Sequence, residues 1–246
     1  MRRSFSIAED SADPVEVRTR IKNAGQVTGT NALLLFCAII IASIGLNTNS
    51  TAVIIGAMLV SPIMGSLLLL AYGTVTLDSN MVRRSLAGLS IQVLISILTS
   101  TIFFAISPVK AVTPELAART SPTMFDVVLA YVGGIAGIIG NTRKEKSNNV
   151  IPGIAIATAL MPPLCTAGFS IANHRWSMLA GALYLFLINS YFIFTSAEIV
   201  LSLMKTPKLY ERTEKQRKKF THRKVVITIL IIIPAVLMTG IVSLND

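Results

Sequence analysis

Polar and apolar positions along this chain fall into long blocks, without the two-residue alternation of a half-buried strand. Apolar runs of roughly 20 residues, enough to cross a hydrocarbon core of about 30 Å, begin near Ala32, Thr51, Ser85, Thr123, Val150, Met178 and Val225. The pattern predicts an all-α polytopic membrane helix bundle of about seven spans. In lipid a helix satisfies its own main-chain groups.

Two of the runs are interrupted by proline at corresponding places. The segment STAVIIGAMLVSPIMG at 50–65 contains Ser61 and Pro62, and NNVIPGIAIATALMPPLCT at 148–166 contains Pro162 and Pro163 after Met161. Proline removes an amide donor and presses on the carbonyl four residues back, so the carbonyls of Met58, Thr158 and Ala159 are expected to need other partners. Matched broken helices in two halves of a membrane protein point to a binding or permeation site. The plainer alternative is a pair of kinks that serve packing, their carbonyls satisfied by Ser, Thr or water.

The surrounding sequence repeats as well. IASIGLNT at 41–48 returns as IAGIIGNT at 135–142, and Leu86-Ala87-Gly88 returns as Leu179-Ala180-Gly181. Each half reads as a plain helix, an Asn-Thr turn, a proline-broken helix and a further plain helix. Three spans per unit is an odd number, so the second copy must enter from the opposite side. The expected organisation is a cytoplasmic N-terminal segment over 1–30, a first three-helix repeat over 31–108 and an outer loop over 109–122. The second, inverted three-helix repeat covers 123–204, followed by a basic cytoplasmic loop over 205–224 and a C-terminal transmembrane helix over 225–246.

The two proline segments, NSTAVIIGAMLVSPIMG and NVIPGIAIATALMPPLCTAG, resemble the signature segments of the hydrophobic membrane proteins grouped as domain of unknown function 389. The resemblance spans roughly residues 30–200. It implies a multi-span fold in a bacterial or archaeal membrane and carries no established substrate.

Composition agrees with a membrane class: hydrophobic residues make up 52% and charged residues 14%, against about 25% charged in soluble domains. Charge placement then orients the bundle. Nineteen of the 22 Lys and Arg fall at 2–22, 83–84, 143–146 and 205–224, leaving Lys110, Arg119 and Arg175 for the other side. The excess places the N-terminus in the cytoplasm of a cell with this protein in its inner (plasma) membrane, and anionic lipids at the cytoplasmic face as partners. The formal net charge of +10 is thereby explained without nucleic acid. The first thirty residues lack a signal-peptide pattern. Asp13 and Pro14 open a short helix with Val15, Val17 and Ile21 on one stripe, expected to lie on the inner surface.

Catalytic and metal-binding constellations are absent from the pattern, so no enzyme activity and no cofactor are expected. Cys37 and Cys165 read as small buried hydrophobes. The candidate pathway residues are Ser61, Pro62, Thr158, Pro162, Pro163, Asn189 and Glu198. Ser61 and Thr158 set hydroxyls beside the proline sites, Asn189 marks mid-span, and Glu198 is an intramembrane carboxylate on the face of Tyr184, Tyr191 and Thr195. Asp126, in the opening turn of its run, reads as a helix cap or as a residue facing the outer interface. Gly133 and Gly137 provide a close-packing face. These features support a transporter or channel for a small solute or ion, working as a homo-oligomer. The alternative is a membrane-embedded scaffold or sensor with no transport activity.

Overall fold

Short polar segments between the apolar runs set the helix ends, because their side chains accept from the first free amides. In the computed structural model, which describes residues 11–144, 150–204, 206–207, 227–229 and 231, α1 (Pro14–Gly25) begins at Asp13, whose carboxylate accepts from the Val15 amide. Thr28 opens α2 (Gly29–Asn47) by accepting from Asn31, and Asp78 opens α5 (Ser79–Ile106) by accepting from Met81. Between them run α3 (Thr51–Val60) and α4 (Ile63–Thr76). A short α6 (Pro114–Ala118) precedes α7 (Met124–Thr142), and α8 (Val150–Ala172) and α9 (Trp176–Leu203) follow. Asp126 does cap α7, taking bonds of 2.8 Å from both the amide and the hydroxyl of Thr123.

Four helices, α2, α5, α7 and α9, are long and apolar enough to cross a membrane. The pair α3 and α4, bent by 50° at its break, is long and apolar enough when taken together. Its two ends have different neighbours: Thr51 bonds Glu115 at one, while Asp78, just past α4, pairs with Arg18 at the other. In α8 the side chains are described from Leu160 onward, and that part is apolar. The seventh run and the basic loop lie outside the described residues except for 206–207, 227–229 and 231, the last four of which are helical.

The bundle therefore has two distinct ends. One gathers α1, the α4–α5 turn and the end of α7, where the Ala12 amide bonds the Thr142 carbonyl at 2.8 Å. The other gathers the α2–α3 turn, α6 and the start of α9, held by Thr113 bonding the Leu46 carbonyl and by Gly181 seated against Thr120. Arg83, Arg84, Arg143 and Lys144 belong to the first end. The helices alternate between ends, so α2 and α7 start from opposite sides.

At the centre stands α8, which touches α2, α3, α4, α5, α7 and α9. Residues 160–170 are all buried. Small residues permit the closest crossings. A Cβ on Gly168 would come within 2.7 Å of the Thr101 amide on α5, and one on Gly134 within 2.6 Å of the Ile193 carbonyl on α9. Gly133 and Gly137 are buried on the same helix, so the glycine face of α7 serves packing within the chain.

Two expectations need correcting. The α1 helix does not lie flat on a lipid surface: Val17 and Ile21 are buried in a cluster with Leu68, Leu69 and Tyr72 of α4, and Gly25 abuts Gly65. Two flat glycines meeting let the backbones close, and the Ser66 hydroxyl donates to the Gly25 carbonyl at 3.2 Å. Val15, on the far side, is 71% exposed. Cys37 is exposed on α2, whereas Cys165 is buried beside Ser43.

Packing at Gly134 is limited by backbone atoms, which cannot turn aside. Gly134→Leu is expected to destabilise the purified protein by at least about 3 kcal/mol. Gly56→Ala, where a Cβ meets nothing within 4 Å, is expected to be neutral or stabilising by up to about 1 kcal/mol through helix propensity. Thermal unfolding in detergent, followed by Trp176 fluorescence, compares the two.

Candidate functional site at the helix break

The break between α3 and α4 follows directly from Pro62. A residue before proline is driven from the helical to the extended region, and Ser61 sits at φ −74°, ψ 127°. Its amide closes onto the Met58 carbonyl at 3.2 Å, so the carbonyl expected to be orphaned is in fact satisfied. Pro62 then becomes the first residue of a new start. The Gly65 amide bonds the Pro62 carbonyl at 3.1 Å, and no side chain caps α4. The first amides of α4 thus have no intrahelical acceptor, and the positive end of its dipole lies within the bundle.

Depth can be read from helical rise. The 28 residues of α5 rise about 42 Å, and Pro62 stands about 21 Å above Thr76. Gln92 lies about 20 Å along α5 from its start, and Asn189 about 21 Å from the end of α9. Ser66 over Gly88 fixes the antiparallel register of α4 and α5, which sets Pro62 beside Gln92 one turn farther out. Gly168 against Ser100 fixes α8, bringing Pro163 within about one turn of the same level. The break, Gln92, the second proline pair and Asn189 therefore share the middle of the bundle.

This layer is unusually polar for a membrane interior. Gln92 and Asn189 are 1% and 2% exposed. Most buried hydroxyls here bond back to a carbonyl of their own helix, as Ser96, Ser100 and Ser170 do. Ser61 Oγ, Gln92 Oε1 and Thr166 Oγ1 are enclosed with no hydrogen-bond partner among the described residues, as are Ser190 Oγ and Thr195 Oγ1 on α9. An enclosed polar atom without a partner costs about 1–3 kcal/mol, so Ser61 Oγ, Gln92 Oε1 and Ser190 Oγ at one depth require a compensating role, while Thr166 and Thr195 lie about 9 Å to either side.

The other sequence candidates divide. Pro162 and Pro163 lie inside an uninterrupted α8 and are buried, so the second half does not repeat the break. The physical reason is enclosure: six helices surround α8 and hold its axis, whereas α3 is peripheral, with Leu59 and Val60 48% and 41% exposed. Thr158 lies in α8 with its side chain outside the described residues. Glu198 is 5% exposed near the basic end, about 12 Å from the depth of the break, and is not brought to it. The tyrosine stripe beside it has a different task. Tyr184 donates to the Ile231 carbonyl at 2.7 Å, and the Tyr191 hydroxyl meets that of Thr228, so the stripe is the seam on which residues 228 and 231 dock.

Gln92 and Thr166 escaped the sequence reading. Gln92 had a usable signal, a carboxamide at the centre of a long apolar run. Among the described residues no group of three His, Cys, Asp or Glu side chains comes together.

Comparison with known proteins gives a family and adds no chemistry. An uncharacterized protein of Methanocaldococcus jannaschii is 28% identical over 189 residues, covering 76% of this chain and 58% of that protein. The chain thus spans little more than half the length of that relative. No solved structure matches. The family described as Domain of unknown function (DUF389) matches residues 58–195, from the turn before the α3–α4 break through most of α9, and this chain belongs to it.

Proposed function

We propose that this protein is a transporter or channel that passes a small solute or ion through the mid-bundle layer at the α3–α4 break. The observation that carries the reading is the coincidence, at one depth, of an uncapped helix start and the partnerless polar atoms of Ser61 and Gln92. Solutes that shed water need replacement groups of this kind, and transporter sites form where helices are broken near the midplane. The new N-terminus of α4 favours an anionic or electronegative group, and the Gln92 carboxamide offers both a donor and an acceptor.

The repeat supports the reading. Helices α2 and α7 are both 19 residues long, α5 and α9 are both 28, and the halves start from opposite ends. We take them as inverted copies in an inner-membrane protein with its basic end in the cytoplasm, acting as a homo-oligomer without enzymatic chemistry. Glu198, near the cytoplasmic mouth, would bias the charge of what enters. A scaffold or sensor is the second reading, and the continuous, enclosed α8 favours it, since only one of the two proline sites opens a helix.

Reconstituted flux separates the two. Gln92→Leu is expected to lower the rate about tenfold, the equivalent of losing one hydrogen bond to the passing solute, with the elution profile of the purified protein unchanged. Glu198→Gln is expected to alter charge selectivity or pH dependence while leaving assembly intact. A wild-type protein that passes none of a panel of common ions and small solutes would replace transport with the scaffold reading.

Orientation is tested separately by cysteine labelling in intact cells. A cysteine at Lys110 is expected to react with a membrane-impermeant reagent, and one at Asn80 only after permeabilisation. The reverse result would invert the assigned topology.

A further inference from the structure

At the basic end of the bundle a cavity of about 150 Å³ opens between α1 and the start of α5. Arg18, Lys22 and Arg84 line it with Asp78 and Asn80, and Leu69 contributes an apolar surface. The one carboxylate is already committed. Asp78 Oδ1 accepts from the Met81 amide as the cap of α5, and Oδ2 pairs with Arg18 at 3.0 Å. Lys22 and Arg84 form no ion pair among the described residues. Two uncompensated cations from different helices thus converge on one concavity, beside the amino end of a 28-residue helix whose dipole adds positive potential.

The ligand class follows from that geometry. An acceptor with several oxygens at tetrahedral angles can meet Arg18, Lys22 and Arg84 together, whereas a carboxylate has two oxygens in one plane. Depth identifies the source. Arg84 is about 8 Å from the start of α5, and a bundle of about 42 Å exceeds a hydrocarbon core of about 30 Å by about 6 Å at each end. The cavity therefore lies at the boundary of headgroups and hydrocarbon, within reach of a headgroup for long side chains, and Leu86 just above it is 53% exposed, in position to meet an acyl chain.

We propose that this cavity is a binding site for a phosphate group, supplied by the headgroup of an anionic phospholipid of the same leaflet. The bound phosphate would tie α1 to α5 and so hold α1 against α4 on the cytoplasmic side of the break. This site is independent of transport, because it is read from a different end of the bundle and its test needs no flux.

The experiment uses the purified full chain in neutral detergent, native mass spectrometry to count retained lipid, and thermal shift. The probes are phosphatidylglycerol, phosphatidylcholine and inorganic phosphate. Wild-type protein is expected to retain phosphatidylglycerol over phosphatidylcholine, and the double change Lys22→Gln with Arg84→Gln to weaken this about tenfold. Arg83→Gln, an exposed neighbour outside the cavity, removes a like charge and serves as control, and Lys22→Arg is expected to retain binding. Retention that inorganic phosphate competes away, with a matching thermal shift from phosphate alone, assigns the site to soluble phosphate. Equal retention by the double variant and by Arg83→Gln would overturn the site.

Discussion

The structure depends on one constraint: a main-chain polar group at membrane depth must find a partner. Helices α2, α5, α7 and α9 meet it internally along their length, and the α3–α4 junction is where the requirement becomes visible. There Pro62 removes a donor, Ser61 turns extended, and the Ser61 amide recovers the Met58 carbonyl through a tighter turn. What remains open is the uncapped start of α4, and the polar atoms of Ser61 and Gln92 are found in the same layer. Peripheral placement of α3 makes the bend tolerable, since no neighbour has to be displaced for the axis to turn by 50°.

The same proline chemistry gives the opposite outcome in α8. Pro162 and Pro163 carry the stronger local signal, two consecutive prolines, yet the helix continues through them because it is surrounded. Local steric preference amounts to a few kcal/mol, which packing over many side chains can outweigh. The two halves therefore share helix lengths and order while differing at the element that first drew attention to them. One half supplies a bend and a polar layer, and the other supplies a rigid core against which they are set.

Much of this was legible in the sequence. Long apolar runs located the candidate spans, charge separated the two ends, and Asp126 was identifiable as a candidate cap from its place in the opening turn of its run. Sequence could not reveal which proline site would bend, because that depends on how many neighbours each helix has. It placed α1 on the lipid surface because Val15, Val17 and Ile21 look like a lipid-facing stripe, whereas Gly25 and Gly65 bring the helix onto α4. The Tyr184 and Tyr191 stripe looked like part of a pathway, since a hydroxyl pattern does not distinguish a polar channel from a seam between helices. Gln92 was overlooked because a single carboxamide has no motif, and its meaning comes from the register of α4 on α5.

The central claim is that the mid-bundle layer is open to a hydrated path. Cysteine substitution at Ser61, with Cys37 and Cys165 replaced by serine and alanine, followed by reaction with a small membrane-impermeant thiol reagent in intact membranes, tests it most directly. The account predicts that a cysteine at Ser61 reacts and that one at Leu164, buried on the enclosed α8, does not. Equal protection of both in a folded protein would show the break to be dry and would contradict the account.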